Sequence, residues 1–208
     1  MGLYIQYGCG FSAPDGWTNY DASPTLRFER LPLIGKFYVK NKQRFPESVL
    51  YGNIVDGLPE ADDSCDGIYC SHILEHLSYK DFQSALKNTL KLLKPGGIFR
   101  CVVPDLRHSV QEYLDNYELI DNPASLLMRS TMLGREDRAR GITGVLKDMA
   151  GNSKHFWMWD ERSLITELIN AGFKNPRACK FNDSLDSNFK LVEDEDRFQS
   201  AVAIECTK

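Results

Sequence analysis

Two histidines and a glutamate stand together directly after a predicted buried strand. The strand covers Asp66 to Ser71, and it is followed at once by His72-Ile73-Leu74-Glu75-His76. Two imidazoles four residues apart, with a glutamate between them, can hold a zinc ion and activate a water molecule. One hypothesis is therefore a zinc hydrolase that uses His72, Glu75 and His76.

The elements around this motif favour a different chemistry. A predicted helix, Tyr79 to Leu93, ends before Lys94-Pro95-Gly96-Gly97, and a second apolar strand covers Ile98 to Val103. Strand, helix and strand form a βαβ unit, and open α/β sheets bind ligands at the carboxyl ends of their strands. A zinc hydrolase needs a third ligand, usually an acid on a later helix. We therefore expect no metal here, a packed or capped His76, and His72 as a lining residue of a ligand site.

The hydrophobic patterning predicts one α/β domain over residues 1–208. The chain has 208 residues, 42% of them apolar, enough for one sizeable core. Residues 107–153 depart from the strand and helix alternation and predict a helical insertion that serves as a lid or substrate wall. A further helix runs from the N-cap Asp160 to Gly172. The predicted strands are Leu3–Tyr7, Thr18–Asp21, Val49–Ile54, Asp66–Ser71, Ile98–Val103, Pro176–Asn182 and Ser200–Cys206.

The connection between the first two strands is too short for a helix. An ordinary crossover needs a dozen or more residues, whereas about nine extended residues span roughly 30 Å. That reach exceeds the roughly 17 Å length of a five-residue strand, so a parallel pair remains feasible. We predict a helix-free link that begins at Gly8-Cys9-Gly10.

Composition limits the partners and the compartment. A net charge of −4 argues against a dedicated nucleic-acid binder and favours a small-molecule or sugar substrate. The six cysteines form no CxxC pair, which argues against a disulfide framework. The chain begins with a strand pattern and has no long apolar run, so we expect no membrane insertion and a cytoplasmic location.

In combination, these parts resemble the class I S-adenosylmethionine-dependent methyltransferases, in particular the type 11 methyltransferase domains. The resemblance covers nearly the whole chain. It implies a Rossmann-like, seven-stranded, mostly parallel sheet in the order 3-2-1-4-5-7-6, with strand 7 antiparallel and helices on both faces. Its motifs are Gly8-Cys9-Gly10, Asp21, Leu58-Pro59, Asp62 to Asp66, His72 to Leu77, Leu93 to Gly97 and Ala171-Gly172-Phe173.

The resemblance also implies a cofactor, S-adenosyl-L-methionine, and residues that would hold it. Glycines at 8 and 10 let the backbone approach the amino acid portion of the cofactor. Asp21 would accept both ribose hydroxyls. Leu58 would pack on adenine, and Asp56 or Asn53 would meet the adenine amino group. The implied cofactor residues are Gln6, Tyr7, Gly8, Cys9, Gly10, Asp21, Ala22, Asp56, Gly57, Leu58, Ser71 and His72.

Two positions depart from the family pattern. Gln6 stands where an acid is usual, and Ser12 stands where a third glycine is usual. A hydrogen bond to a charged group contributes about 1.5–3 kcal/mol, against about 0.5–1.5 kcal/mol for a neutral one. Gln6 should therefore hold the cofactor's ammonium group less firmly than a glutamate would.

Direct displacement at a sulfonium depends mainly on alignment, and a general base assists when the acceptor is a hydroxyl. The candidate catalytic residues are His72, His155 and Asp105, although Asp105 could cap the next segment instead. Phe156 to Trp159 fit either a substrate wall or the core. Arg135, Arg138 and Arg140 fit either an anionic acceptor or a solvated face.

We therefore expect methyl transfer to a small molecule or to a sugar of a glycan precursor, at oxygen. An alternative function is that of a noncatalytic binding module, which Gln6, Ser12 and the missing first helix suggest. This alternative predicts no detectable cofactor binding. A nicotinamide-dependent reductase is disfavoured. The glycine loop lacks the third glycine and the helix, and Asp21 comes sooner than the usual spacing of about twenty residues.

Overall fold

The computed structural model of the chain describes residues 2–32, 43–137 and 154–208. Within them, the first five strands are interspersed with two helices. The strands are β1 Tyr4–Tyr7, β2 Thr18–Asp21, β3 Leu50–Tyr51, β4 Cys65–Ser71, β5 Leu93–Pro104, β6 Lys174–Ala178 and β7 Ala201–Thr207. The helices are α1 Pro24–Glu29, α2 Tyr79–Leu92, α3 Leu106–Asp115, α4 Pro123–Ser130 and α5 Glu161–Ala171.

The seven strands form one sheet in the order β3-β2-β1-β4-β5-β7-β6. The pairs from β3 to β5 are parallel, and β7 runs antiparallel to both β5 and β6. The predicted strand order and the antiparallel seventh strand are confirmed. β1 and β2 pair in parallel although no helix lies between them, as the short link predicts.

Helices α2 and α5 cover one face of the sheet. The Ser78 side chain caps α2 by accepting the Asp81 amide, and Phe82 and Leu86 on its inner face are buried. The Asp160 carboxylate caps α5 by accepting the Ser163 amide at 2.7 Å. These caps and apolar stripes fix the helices without help from the ligand site. Gly172, at φ +105, ends α5 in the left-handed conformation that glycine adopts most easily.

Two short 3-10 segments, Ser187–Leu191 and Glu195–Phe198, lie against the other face. Phe189 packs there in a buried cluster with Trp17 and Tyr69. Beside this cluster the fully buried Arg100 of β5 forms ion pairs with Glu193 and Glu205. The second face is therefore held by one aromatic cluster and one charge network.

Three strands differ in extent from the prediction. β5 begins at Leu93 instead of Ile98, because Leu93 already pairs with Cys65 of β4. β3 contains only Leu50 and Tyr51, because the chain turns at Asn53, whose side chain accepts the Val55 amide at 3.1 Å. β6 begins earlier, at Lys174, and ends at Ala178, before a turn in which the Lys180 amide donates to the Asp183 carboxylate at 2.9 Å. After β3 and after β6, a side-chain hydrogen bond to the backbone forms a turn in place of further strand.

The first part of the predicted insertion is helical, since α3 and α4 follow β5 and pack on each other. Residues 138–153, which include Arg138 and Arg140, lie outside the described residues. Arg135 lies on a cavity beside α4, apart from the carboxyl ends of β1 and β2. Among the helices of the described residues, none has the length and apolar character that a membrane crossing requires.

Candidate active site

A cavity of about 710 Å³ opens where β1, β2 and β4 end. We call it the central cavity. Its volume lies in the range of about 300–1,000 Å³ that is usual for small-ligand sites. Six of the predicted cofactor residues line it: Tyr7, Gly8, Asp21, Ala22, Asp56 and His72.

The loop after β1 depends on glycine at two positions for two different reasons. Gly8 has φ +66, and a Cβ built there would lie 2.1 Å from Cδ1 of Ile73. Gly10 has φ +57, but no atom of the described residues lies within 4 Å of a Cβ built there. Gly8 is thus required by close packing as well as by its backbone conformation, whereas Gly10 is required by conformation alone.

Asp21 ends β2 and fastens this loop. One of its oxygens accepts the Gly10 amide at 3.0 Å, and the other accepts the Ser23 amide at 2.7 Å. The side chain is almost fully buried, and burial raises its pKa, while the two backbone amides lower it. A carboxylate has about four lone-pair sites, so two remain for a ligand in the central cavity.

The other predicted cofactor residues line two further cavities. A loop cavity of about 420 Å³ is lined by Gln6, Cys9, Gly10 and Ser71. An outer cavity of about 600 Å³ is lined by Gly57 and Leu58. Gly8 is common to the central and loop cavities, and Asp56 is common to the central and outer cavities. All twelve residues thus lie around three adjoining cavities.

Three side chains that line the loop cavity, those of Gln6, Tyr69 and Ser71, have a buried oxygen without a hydrogen-bond partner among the described residues. Gln6 is 5% exposed, and its Oε1 accepts no hydrogen bond. The Ser71 hydroxyl, at the end of β4, is also buried and unpaired. Buried polar atoms are usually hydrogen-bonded, so an unpaired acceptor beside a glycine loop fits a ligand that carries a donor group.

Near the outer cavity, the side chains of Asn53 and Asp56 are joined. The Asn53 amide donates to the Asp56 carboxylate at 2.7 Å, and both residues line the central cavity as well. Gly52 lies between them and β3, and a Cβ there would lie 2.5 Å from the Tyr20 ring. The turn after β3 is therefore tightly packed against β2.

Three histidines surround the carboxylate of Glu75. Nδ1 of His72, Nε2 of His76 and Nε2 of His155 lie 3.6, 3.9 and 3.9 Å from Glu75 Oε1. His72 and His76 also line the central cavity. His155 comes from the segment before α5, and the next residue's amide donates to the Glu75 carbonyl at 2.7 Å. The fold thus assembles a cluster from distant parts of the chain.

Burial changes the acid–base properties of this cluster. Glu75 is fully buried, and burial raises its pKa to about 8. Burial lowers the pKa of His72 and that of His155. His72 also has φ +55, a left-handed conformation that costs a residue other than glycine about 1–2 kcal/mol.

The three candidate catalytic residues lie in different surroundings. His72 lines the central cavity, and His155 contacts Glu75 behind it. The Asp105 carboxylate caps α3 by accepting the Arg107 amide at 2.8 Å, and it lies on none of the three cavities.

Sequence analysis missed the joining of Glu75 and His76 with His155. Because 79 positions separate His76 from His155, no spacing rule relates the two.

The aromatic segment before α5 fits both predicted interpretations, since one part of it is core and another part is exposed as a substrate wall would be. Trp159 is buried against Phe82, with ring centroids 4.2 Å apart, whereas Phe156 and Trp157 are about half exposed.

Comparison with solved structures shows the same fold at low sequence identity. The chain aligns over 100% of its length with 83% of a SAM-dependent methyltransferase from Thermotoga maritima, described as a possible histamine N-methyltransferase, at 18% identity and a TM-score of 0.53. It also aligns over 100% of its length with 86% of a SAM dependent methyltransferase from Archaeoglobus fulgidus, at 14% identity and a TM-score of 0.51.

A third similar structure contains a partner protein. It is a complex between the Haloferax volcanii Trm112 methyltransferase activator and the putative methyltransferase. One chain of that complex aligns over 82% of its length with 99% of this chain, at 15% identity and a TM-score of 0.50. A search of curated proteins finds no match.

The sequence itself matches a family profile. The profile of Methyltransf_23, a methyltransferase domain, matches residues 9–177, which is most of the chain and includes Gly10, Asp21 and the histidine cluster. The methyltransferase relationship predicted from the sequence is confirmed, and the sheet order agrees with it. The chain belongs to this methyltransferase domain family.

Proposed function

We propose that the protein transfers a methyl group from S-adenosyl-L-methionine to a hydroxyl of a small molecule or of a sugar in a glycan precursor. One observation carries the proposal. The central cavity brings the Asp21-fastened glycine loop and His72 to the same space, at the carboxyl ends of adjacent parallel strands. Such an edge is where open α/β sheets bind ligands.

The residues present fit the cofactor. Asp21 has lone pairs left for the two ribose hydroxyls, and Gln6 offers an unpaired acceptor for the ammonium group. Gly8 and Gly10 bring bare backbone to the amino acid portion, while Leu58, Asn53 and Asp56 receive the adenine. When bound, S-adenosylmethionine supplies an electrophilic methyl group on a sulfonium.

On the acceptor side, His72 has the tautomer that a proton acceptor needs. Its Nε2 lies 2.9 Å from the carbonyl oxygen of Arg197, which can only accept, so Nε2 carries the proton. Nδ1 then keeps a lone pair. A positioned base contributes about 10² to 10⁴ in rate, and correct alignment contributes up to about 7–11 kcal/mol. His72 is therefore the preferred base, ahead of His155 and Asp105.

The compartment and the partner class follow from composition and cysteine chemistry. All six cysteines are free, and five of them are buried. Free thiols suit the reducing conditions of the cytoplasm. Together with the net charge of −4, they support a cytoplasmic enzyme for small molecules or sugars, without a nucleic-acid partner.

Calorimetry with S-adenosylhomocysteine, followed by transfer of labelled methyl from S-adenosylmethionine to a panel of small alcohols, catechols and nucleotide sugars, tests the proposal. We expect 1:1 binding and label on an acceptor oxygen. Absence of binding would favour the noncatalytic module, and label found only on nitrogen, carbon or macromolecules would contradict the acceptor class. The variant Asp21→Asn should weaken this binding. Asp15→Asn serves as its matched control, because Asp15 is an exposed acid in the same loop region.

A further inference from the structure

We propose that Glu75, His76 and His155 form a binding site for a divalent transition-metal ion of the zinc type, at the wall of the central cavity. One carboxylate oxygen and one nitrogen from each histidine lie within 4.8 Å of one another. Ligands about 2.1 Å from a tetrahedral zinc ion lie roughly 3.4 Å apart. The 3.9 Å separations from Glu75 Oε1 would therefore shorten by about 0.5 Å, and separations of up to 4.8 Å within the set would shorten by up to about 1.4 Å.

The carboxylate of Glu75 lacks the partners that a buried carboxylate usually has, and a cation between these side chains would supply one. Glu75 is 0% exposed, and among the described residues neither of its oxygens has a hydrogen-bond partner. A buried carboxyl group without a hydrogen-bond partner is destabilising, and it is more so when it is charged. A cation between Glu75 and the imidazoles removes that destabilisation, because it gives the carboxylate a charge partner.

The histidines are oriented as metal ligands. Nδ1 of His76 lies 2.8 Å from the carbonyl oxygen of Lys154, so it carries the proton, and Nε2 presents its lone pair toward Glu75. Such a backbone carbonyl behind the ring is the usual outer-shell partner of a ligating histidine. His155 directs Nε2 to the same oxygen.

The donor set selects the type of ion. Two imidazoles and one carboxylate suit Zn²⁺, Fe²⁺, Co²⁺ or Mn²⁺, whereas Mg²⁺ and Ca²⁺ prefer oxygen ligands. Three protein ligands leave a coordination position open, as in catalytic rather than structural zinc sites. This set differs from the His72, Glu75 and His76 arrangement of a zinc hydrolase, because Glu75 is here a ligand and His155 provides the third.

The site also has a consequence for the acceptor, which rests on the proposed methyl transfer. His76 lines the central cavity, so a cation held by it borders the space where the acceptor hydroxyl would lie. A bound divalent ion lowers the pKa of a hydroxyl or phenol that reaches its open position. Acceptors with two adjacent hydroxyls, such as catechols or sugar diols, could chelate the ion and are the substrate class that the site favours.

Metal binding is tested on the full chain without cofactor. Protein treated with a chelator and dialysed is titrated with Zn²⁺ by calorimetry and with Co²⁺ by visible absorption. We expect one ion per chain and the d–d bands of a four- or five-coordinate Co²⁺. Glu75→Gln and His155→Gln should each weaken binding by at least about 100-fold, beyond the 10- to 100-fold effect of an outer-shell partner.

His108→Gln is the matched control, because His108 is the one histidine of the chain outside the cluster. All variants keep the six cysteines, so residual thiol binding appears equally in each. Equal Zn²⁺ binding by wild type and His155→Gln, or no uptake of either ion, would overturn the site. S-adenosylhomocysteine affinity is measured in parallel on metal-free protein. It tests the fold and the proposed function independently of metal binding.

Discussion

The carboxylate of Asp21 accepts the backbone amide of Gly10 at 3.0 Å, so the end of the second strand is tied to the loop that follows the first. In this chain the loop contains no helix whose N-terminus could orient it. The hydrogen bond supplies that order from the neighbouring strand. Asp21 therefore has two functions in the proposal, because it shapes the glycine loop and offers its remaining lone pairs to the ribose.

Replacing Asp21 with asparagine should weaken cofactor binding. The change removes a charged acceptor and leaves the side-chain shape almost unchanged. A charge-assisted hydrogen bond is worth about 1.5–3 kcal/mol, so the affinity for S-adenosylhomocysteine should fall about 10- to 100-fold in calorimetry. Asp15→Asn should bind as the wild type does. Equal affinities for wild type and Asp21→Asn would contradict the assigned ribose contact.

The charge on Asp21 should also make binding depend on pH. The pKa of an ordinary aspartate is about 3.9. Burial raises the pKa of Asp21, so its carboxylate gains a proton at a higher pH. Because the ionised form accepts the ribose hydroxyls, affinity should decline as the pH is lowered through the raised pKa of Asp21, and this decline should begin at a higher pH than the titration of an ordinary aspartate would cause. Asp21→Asn should show no such decline. Parallel curves for the two proteins would exclude Asp21 as the titrating group.

Alanine at Gly8 and at Gly10 should have unequal effects on stability. Both residues have positive φ, which costs alanine about 1–2 kcal/mol. At Gly8 the new Cβ also collides with Ile73, and overpacking of this kind adds about 1–3 kcal/mol. Denaturant unfolding should therefore rank Gly8→Ala below Gly10→Ala. Adding Ile73→Ala to Gly8→Ala should restore the part of the unfolding free energy that the collision removes. If the two substitutions have additive effects in a double-mutant cycle, that result would be evidence against this packing.

Glutamate at position 6 should strengthen cofactor binding. Gln6 Oε1 is an unpaired acceptor beside the glycine loop, and a carboxylate there would hold an ammonium group more firmly by about 1 kcal/mol. Gln6→Glu should therefore bind S-adenosylhomocysteine about 5- to 10-fold more tightly. Gln6→Leu, which has no acceptor, should bind more weakly than wild type. The opposite order would place the ammonium group elsewhere.

Removing Arg100 should destabilise the protein, and it should also disturb the loop cavity, because its partner Glu193 lines that cavity. Its guanidinium is fully buried and forms ion pairs with Glu193 and Glu205. Removing one partner of a buried ion pair typically costs about 3–5 kcal/mol, because the other charge is left buried and unpaired. Arg100→Met should lower the unfolding free energy by that amount. Arg177→Met provides the control, because Arg177 pairs with Glu205 from a position 41% exposed and should cost about 1 kcal/mol or less. Similar losses in both variants would refute the buried network.

Local patterns in the sequence determined most elements of the sheet. Capping side chains at Ser78 and Asp160, apolar stripes and strand runs act over a few residues, so helices α2 and α5 and the presence of seven strands could be predicted from the residues. The strand order was implied by the resemblance to the class I methyltransferases, and it is confirmed. Gly8, Gly10 and Asp21 could be predicted as well, because a glycine turn and an acid at a strand end have fixed places in a parallel sheet. The ends of β3 and β6 could not, since turn hydrogen bonds at Asn53 and Asp183 decide them.

Only the tertiary structure decided the environment of the polar side chains. His155 reaches Glu75 because the segment before α5 folds back onto the turn after β4, and no local pattern encodes that contact. The burial of Glu75, the unpaired Oε1 of Gln6 and the contact of Gly8 with Ile73 likewise depend on how distant elements pack. Burial and partners set a side chain's pKa and its free lone pairs, and these properties arise only after the chain has folded.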